Sequence, residues 1–216
     1  QKIKNKIIME VGSGSGRILK NLLKFKPKNL YAIEPSKAIK IAKKNLNNKK
    51  VKFFNIKGEN IKFKNKLDYI FSLGVIHHTP NYELVLKKIK FALKKKGKFI
   101  LWVYGKEGNE LYLFIFNNLR KLTIYMPDFI LRIISHILNI FCYAYGFLCN
   151  FLRLPLQKYF LKIFNKCSFE KRSYIIFDQL NPSYAKYFTK NEIKEVLEKI
   201  GFKILIIKNR HKYSWT

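Results

Sequence analysis

The most chemically informative residues are an acid and three glycines that follow an apolar run near the beginning of the chain. In the segment KIIMEVGSGSGR, residues 6–17, Glu10 precedes Gly12, Gly14 and Gly16, which stand at alternate positions. A strand that turns into a helix through glycines leaves backbone N–H groups unobstructed by Cβ atoms, so a ligand can lie against the main chain at the helix N-terminus. The spacing therefore predicts a site for a nucleotide-like cofactor.

The glycine spacing also limits which cofactor is expected. The dinucleotide fingerprint GxGxxG would need a glycine where this chain has Arg17, and the pattern is instead ExGxGxG. On its own, such a turn is also compatible with a tight strand-to-helix connection that binds nothing. The later apolar runs decide between the two interpretations.

Two of these runs end in acids, although the chain has only 13 acidic residues. Asn29–Ile33 leads into Glu34, about 20 residues after the turn, where ribose hydroxyls are bound in such folds. Val51–Ile56 is followed closely by Glu59. In open α/β sheets ligands bind at the carboxyl ends of the strands, so this placement indicates function.

A fourth run, Leu67–Leu73, lies within DYIFSLGVIHHTPN, residues 68–81. With the glycine turn, it resembles the class I S-adenosylmethionine-dependent methyltransferases, and its sequence is similar to the subgroup of ubiquinone and menaquinone C-methyltransferases. The resemblance covers residues 6–104 well and 178–208 moderately. It implies S-adenosylmethionine as the cofactor, which suits the strand-end acids because the sulfonium is a cation.

The resemblance also implies individual roles. The glycine turn would lie along the methionine and ribose portions of the cofactor, and Glu34 would bind both ribose hydroxyls. Glu59 and Asn60 would bind the adenine. The full set of cofactor-binding residues expected from the resemblance is Glu10, Gly12, Ser13, Gly14, Gly16, Glu34, Pro35, Ser36, Glu59, Asn60, Ser72 and Gly74. Glu10 could instead orient the glycine turn.

Methyl transfer from a sulfonium is an SN2 displacement that mainly requires alignment and exclusion of water, so few catalytic residues are expected. His77 and His78 are the candidates, with His77 ahead, because a histidine base could assist deprotonation of an acceptor. Packing or shaping of the acceptor pocket is the alternative for both. Tyr184 and Tyr187 could reach the acceptor or simply fill space.

The alternation of strand and helix patterns predicts an α/β fold, a Rossmann-like, mostly parallel sheet flanked by helices. Helices are expected at 16–25, from Ser36 to about Leu46, and from Asn81 to Gly97, with a fifth strand over Lys98–Tyr104. Near the end of the chain, Thr189 and Glu192 predict a capping box, and a sixth strand is expected at 202–208. A seventh strand has no obvious sequence, and the chain starts at Gln1, without an initiator Met and almost on the first strand, so we expect truncation at one or both ends.

The core domain is predicted at residues 1–104 and 183–216, interrupted by a helical insertion at 105–182 that forms a lid or acceptor region. Within it, Ile133–Leu152 carries no formal charge over 20 residues, which is long enough to span a membrane. A single crossing would divide one sheet between two sides of a bilayer, which argues against spanning. The polar residues fall on one narrow stripe, expected to be a wet edge: Arg132, Ser135, His136, Asn139, Tyr143, Gly146, Asn150 and Arg153.

This pattern leaves two interpretations of the insertion open. The helix could pack over the core as a lid, or it could lie in a membrane interface, where residues 129–167 would contact lipid or a lipid-linked acceptor. A second amphipathic segment, 156–167, follows Pro155. The expected location is cytoplasmic, with peripheral contact at the inner face of the membrane as the second interpretation.

The net charge of +31 would ordinarily suggest nucleic acid as a partner. Only six of the 44 basic residues are arginine, however, and the 38 lysines are spread along the chain. Arginine is the residue favoured for base and phosphate recognition, so nucleic acid is considered an unlikely partner. Three cysteines, Cys142, Cys149 and Cys167, show no metal-ligand spacing, so no metal is expected.

Three hypotheses follow. The first is a methyltransferase for a small-molecule or lipid-linked acceptor. The second is an RNA methyltransferase, and the third is a noncatalytic membrane-associated protein that retains the fold.

Overall fold

The structure is a computed structural model that describes residues 3–123, 125–181, 184–210 and 213–216. It separates into two compact units, one formed by residues 1–109 and 184–216 and the other by residues 110–183. The expected domain boundary at residues 182 and 183 lies outside the described residues. Each unit has its own apolar core.

The first unit contains a seven-stranded sheet in the order β3-β2-β1-β4-β5-β7-β6. Strands β1 to β5 are parallel, whereas β7 runs antiparallel to both β5 and β6. The strands are β1 Ile7–Val11, β2 Asn29–Ile33, β3 Val51–Phe54, β4 Leu67–Leu73, β5 Leu93–Tyr104, β6 Asn209–Arg210 and β7 Ser214–Trp215.

Helices cover the sheet on both faces, so neighbouring strand residues enter different cores. Ile8 packs in one cluster with Leu19 of the helix that follows β1, whereas Met9 joins the opposite cluster with Leu86 and Ile193. Successive side chains of a strand point to opposite faces, which explains this division. The helices of this unit are α1 Arg17–Leu23, α2 Ala38–Asn45, α3 Tyr82–Ala92 and α8 Lys190–Lys199.

The predictions for the ends of the helices are partly correct. Thr189 and Glu192 form the predicted capping box of α8, with reciprocal side-chain to backbone hydrogen bonds. The predicted caps of α2 and α3 are correct only in part. Asn81 stands at the N-cap of α3, as predicted, but its side chain makes no capping hydrogen bond. Lys37, not Ser36, stands at the N-cap of α2, although the Ser36 hydroxyl accepts a hydrogen bond from the N–H of Ala38 at 3.2 Å.

The junction between α3 and β5 lies earlier than predicted. Helix α3 ends at Ala92 and does not continue to Gly97, and β5 begins at Leu93. Leu93 pairs with Leu67 in the parallel ladder, so hydrogen bonds to β4 replace helical hydrogen bonds at this point. The sequence signal was ambiguous because a lysine run can lie on an exposed helix or an exposed strand.

Two predictions for the end of the chain are wrong. Residues 202–208 form no strand, and β6 is limited to Asn209–Arg210. A seventh strand is present, at Ser214–Trp215. An apolar run becomes a strand only where a neighbouring strand can pair with it, and β7 offers two paired residues.

The second unit consists of helices. These are α4 Glu110–Thr123, α5 Asp128–Leu148, α6 Gln157–Tyr159, a π-helical turn at Phe160–Phe164, and α7 Phe169–Leu180. Their core contains Leu131 of α5, Phe164 of the π-helical turn, and Ile176 and Leu180 of α7. Of the described helices, α5 alone is long and apolar enough to cross a membrane by length and composition.

The polar stripe of α5 is not the wet edge that its spacing predicts. Ser135, Asn139 and Gly146 of the stripe are buried, because this side of α5 packs inside the unit. His136 and Tyr143 of the same stripe are exposed. The stripe therefore runs along the border between the buried and the exposed faces of the helix.

Candidate functional site

The sheet brings most of the predicted cofactor residues to one edge, at the carboxyl ends of four parallel strands. Glu10 and the glycine turn lie at the end of β1, Glu34 follows β2, Glu59 follows β3, and Ser72 lies near the end of β4. Strand order reverses between β1 and β4, because β2 lies on one side of β1 and β4 on the other. Ligands of open α/β sheets bind at such a switch point.

The glycine turn has a backbone that needs glycine. Gly12, Gly14 and Gly16 have φ angles of 78°, 50° and 88°, in the left-handed region that side chains disfavour. A Cβ atom on Gly12 would overlap the side chain of Val75, which follows β4. The turn can therefore approach the end of β4 only because Gly12 has no side chain.

Glu34 binds the glycine turn directly. One carboxylate oxygen accepts a hydrogen bond from the backbone N–H of Gly14 at 2.9 Å, and the other accepts one from the N–H of Ser36 at 2.9 Å. A carboxylate has about four lone-pair sites, so two remain. Two acceptors on one side chain are what a pair of vicinal hydroxyls requires, and Glu34 thus fits its predicted role towards a ribose.

Glu10 is buried beneath the same turn. Burial and, second to it, the negative charge of Glu34 raise the pKa of Glu10 to about 8, although the positive charge of Arg17 partly opposes them. The Glu10 side chain therefore holds its proton at neutral pH in the absence of a bound cation. A cationic ligand close to it would favour the ionised form.

Several buried polar atoms at this edge have no hydrogen-bond partner within the described part of the chain. They are Oε2 of Glu10, Oγ of Ser13 and Oγ of Ser72. A buried polar group that lacks a partner is costly, so such atoms indicate a polar ligand or water. With the bare backbone of the turn, these residues fit S-adenosylmethionine, whose methionine and ribose portions are polar.

The remaining predicted cofactor residues are less enclosed. Glu59 is half-buried and Asn60 exposed, on a 3-10 turn at Gly58–Asn60. Pro35 and Ser36 are exposed beside Glu34. Gly74 has a φ angle of 85° and donates a backbone hydrogen bond to the carbonyl of Trp102. The roles expected of these residues stay predictions.

His77 is fully buried, and neither ring nitrogen has a hydrogen-bond partner among the described residues. Its ring lies against Tyr104, with centroids 3.8 Å apart and planes at 30°. Burial lowers the pKa of His77 well below its usual value, and the charge of His78 lowers it further. The role of His77 as a general base stays a prediction. Because its pKa is lowered, His77 is a weak base at neutral pH.

His78 has a clearer contact. Its Nδ1 lies 3.1 Å from the backbone carbonyl of Tyr184, and the backbone N–H of Lys186 donates to the carbonyl of His77. The histidine pair thus connects the end of β4 to the segment that precedes α8. Tyr187, from the same segment, stacks on Tyr104 at 5.2 Å.

Sequence reasoning missed three residues at this edge. Asn55 donates to the backbone carbonyl of Glu34 at 2.8 Å and so fixes the segment that carries the carboxylate. Trp102 and Tyr104 form the aromatic surroundings of His77. The latter two end a predicted parallel strand, a position that could have identified them, whereas nothing in the local sequence marks Asn55.

Comparisons with known proteins agree with this geometry. Residues 9–101 match the family model described as a methyltransferase domain. The structure is similar to an S-adenosylmethionine-dependent methyltransferase from Mesorhizobium loti, with a TM-score of 0.60 and 11% identity over 98% of this chain and 81% of that one. It is also similar to one from Aquifex aeolicus, with a TM-score of 0.56 and 15% identity over 98% and 80%.

The sheet order and these matches define the class I methyltransferase fold, as predicted, with S-adenosylmethionine as the cofactor that the domain match supports. The similarity to the ubiquinone and menaquinone subgroup stays a prediction.

Two relatives are tRNA U34 carboxymethyltransferases. The one from Helicobacter pylori strain P12 is 33% identical over 106 residues, 46% of this chain and 41% of the relative. The one from Nautilia profundicola is 30% identical over 112 residues, 50% of this chain and 37% of the relative. The chain thus spans about two fifths of the length of these relatives. Their names count against the expectation that nucleic acid is an unlikely partner.

Proposed function

We propose that this protein transfers the methyl group of S-adenosylmethionine to a small or lipophilic acceptor. The observation that carries methyl transfer is the arrangement of Glu34, which binds the glycine turn through Gly14 and keeps two acceptor sites for a ribose. The acceptor class is supported separately, by the exposed apolar side chains of the second unit. When bound, the cofactor supplies an activated methyl group on a sulfonium.

The protein's own contribution to such a reaction is chiefly positional. The glycine turn and Glu34 would hold the donor, while Ser13 and Ser72 would pair with its polar groups. The aromatic rings of Tyr104 and Tyr187, near His77, would exclude water on the acceptor side. Alignment of donor and acceptor accounts for most of the catalysis expected of an SN2 displacement, so no strong base is required.

A tRNA acceptor is the second candidate. The names of the relatives from Helicobacter pylori and Nautilia profundicola favour it, and so does the net charge of +31, because lysines attract phosphates whatever the sequence of the nucleic acid. The match to these relatives covers about half of this chain, the half that carries the cofactor residues. A lipophilic acceptor is supported by a different part of the chain, the second unit, which is described below.

Label transfer distinguishes the two candidates. The full chain and its Glu34→Ala variant are incubated with S-adenosylmethionine carrying a tritiated methyl group, together with either total tRNA or a total lipid extract. We expect label in the lipid fraction that depends on Glu34. Label in tRNA alone supports the second candidate, and label in neither fraction, from a folded chain that binds the cofactor, contradicts both.

A further inference from the structure

Helix α5 places large apolar side chains in solvent. Those of Phe129, Ile133, Ile137, Ile140, Phe141 and Phe147 are each about half or more exposed, and they form what we call the apolar face of α5. On an α-helix these positions share one side, because they recur at intervals of three and four residues. Exposed apolar patches of this kind mark interaction sites.

The opposite side of α5 explains why this face cannot turn inwards. The side-chain amide of buried Asn139 donates to Oγ of Ser173 at 2.8 Å and to the carbonyl of Phe169 at 2.9 Å. Its carbonyl oxygen accepts from the guanidinium of buried Arg172, also at 2.9 Å. Rotating α5 to bury the apolar face would leave these groups without partners.

Close packing fixes the same orientation of α5 about two turns beyond Asn139. Gly146 lies against the side chain of Asn165, and a Cβ atom at this position would overlap it. The guanidinium of Arg172 also lies over the ring of Tyr143, 4.2 Å from the centroid. The buried face of α5 is therefore fixed by polar and steric contacts, and its apolar face is presented outwards.

Charge identifies the kind of surface that this face would meet. Residues 110–183 contain nine basic and four acidic residues. Exposed Arg132 lies beside the apolar face, and exposed Arg153 follows its last turn. Cations bordering an apolar helix face favour a lipid surface with anionic headgroups, where apolar side chains enter the acyl boundary and basic ones stay at headgroup level.

We propose that the apolar face of α5 docks the protein on an anionic bilayer surface, with the helix lying in the plane of the interface. The proposal does not depend on methyl transfer. A spanning helix would expose the polar network around Asn139 to lipid, whereas an interfacial helix keeps it inside the unit. Such docking would bring the protein to acceptors that reside in the membrane.

Vesicle co-sedimentation of the full chain tests this docking. One set of vesicles contains phosphatidylcholine with phosphatidylglycerol as about a third of the lipid, and a second set contains phosphatidylcholine alone. We expect the wild-type chain to bind the anionic vesicles and the variant Ile140→Gln/Phe141→Gln to bind at least about tenfold more weakly, because two large side chains no longer insert.

A matched control is available in the first unit. Leu205 and Ile206 are adjacent and as exposed as Ile140 and Phe141, so Leu205→Gln/Ile206→Gln removes an equal apolar surface elsewhere. We expect this control to bind like the wild-type chain. An equal loss in both variants, or equal binding of the wild-type chain to neutral vesicles, overturns the proposal.

Two further outcomes would assign the face to another occupant. A drop in melting temperature of more than about 5 °C in Ile140→Gln/Phe141→Gln would show that the face is buried within the protein. A wild-type dimer that this variant converts to a monomer, measured by light scattering, would show a contact between copies. Either result, or a wild-type chain that stays unbound, overturns membrane docking.

Discussion

The backbone N–H of Gly14 donates a hydrogen bond to the carboxylate of Glu34, 2.9 Å away and 20 residues further along the chain. This bond joins the glycine turn after β1 to the end of β2, so the two most informative sequence features form one structure. Asn55, which follows β3, holds the same segment in place because its side-chain amide donates to the backbone carbonyl of Glu34. Changes to either partner should therefore affect both the shape of the turn and cofactor affinity.

The first prediction compares two glycines of the turn. Gly12→Ala introduces a Cβ that overlaps Val75, whereas a Cβ on Gly14 meets no atom within 4 Å. Both substitutions strain a left-handed backbone, at about 1 kcal/mol. We expect Gly12→Ala to lower the free energy of unfolding by about 2 to 4 kcal/mol and Gly14→Ala by about 1 kcal/mol, measured by urea denaturation.

The double variant Gly12→Ala/Val75→Ala checks the steric cause. Because it removes the overlapping side chain, its loss of stability should be smaller than the sum of the losses in the two single variants. Strictly additive losses would contradict the contact between the turn and Val75.

The second prediction concerns the buried acid. Folding raises the pKa of Glu10 from 4.5 to about 8, so the unfolded chain loses this proton at lower pH than the folded chain. The contribution of Glu10 to stability is therefore full below pH 4.5 and declines as the pH rises towards 8. At about 1.4 kcal/mol per pH unit, the loss amounts to at most about 5 kcal/mol.

Glu10→Gln, which resembles the protonated acid, should remove this decline and make the protein more stable than the wild-type chain at pH 8. Denaturation curves between pH 5 and 8 measure the effect. The exposed residue Glu195 offers a control, because Glu195→Gln should leave the pH dependence unchanged. A variant at Glu10 that retains the wild-type decline would show that another group causes it.

The third prediction separates packing from catalysis at the histidine pair. His77 has a pKa well below its usual value, owing first to burial, so the folded chain takes up this proton only at low pH. The unfolded chain takes it up near pH 6.5, and stability should therefore fall as the pH drops below that value. His77→Phe, which keeps a ring against Tyr104, should abolish this fall.

Rate measurements complete the test. If His77 serves only to pack, His77→Phe retains methyl transfer within about tenfold, and His78→Asn, which keeps a donor for the Tyr184 carbonyl, behaves similarly. A loss of more than about a hundredfold in His77→Phe alone would instead identify His77 as a catalytic residue.

The fourth prediction concerns the polar network inside the helical unit. Asn139→Leu removes the acceptor for the Nε–H of Arg172, whose Nη1 still donates to the carbonyl of Cys167, and both hydrogen bonds that the Asn139 amide donates to α7. Because the guanidinium stays buried without this partner, we expect a loss of about 2 to 4 kcal/mol in the free energy of unfolding. Asn150→Leu is the control, because Asn150 is exposed and bonds only its own helix end. Equal effects would contradict the buried network.

The parts of the fold that local sequence specifies were predicted well. Strands β2 and β4 have the predicted bounds because buried parallel strands are continuous apolar runs between clear breaks. The capping box of α8 needs only two residues three positions apart. The sheet edge that gathers Glu10 and Glu34 follows from the parallel direction of β1 and β2, which the alternation of strand and helix patterns predicted.

The remaining parts depend on distant partners. Residues 202–208 have the composition of a strand, but in the described structure they form none, and the backbone hydrogen bonds to the end of β7 involve Lys208 with Thr216. No local pattern shows this. Likewise, the spacing of polar residues on α5 marks a stripe without showing that Asn139 faces α7 and not water. Asn55 acts through a hydrogen bond to the backbone that follows a different strand, so single-sequence reasoning could not select it.

Isothermal titration of S-adenosylmethionine into the full chain tests the central claim most directly. The account predicts measurable binding by the wild-type chain and by Glu195→Ala, and a loss of at least about a hundredfold in Glu34→Ala, because each hydrogen bond to a charged acceptor contributes about 1.5 to 3 kcal/mol. A folded wild-type chain that does not bind, or a Glu34→Ala variant that binds equally well, would contradict it.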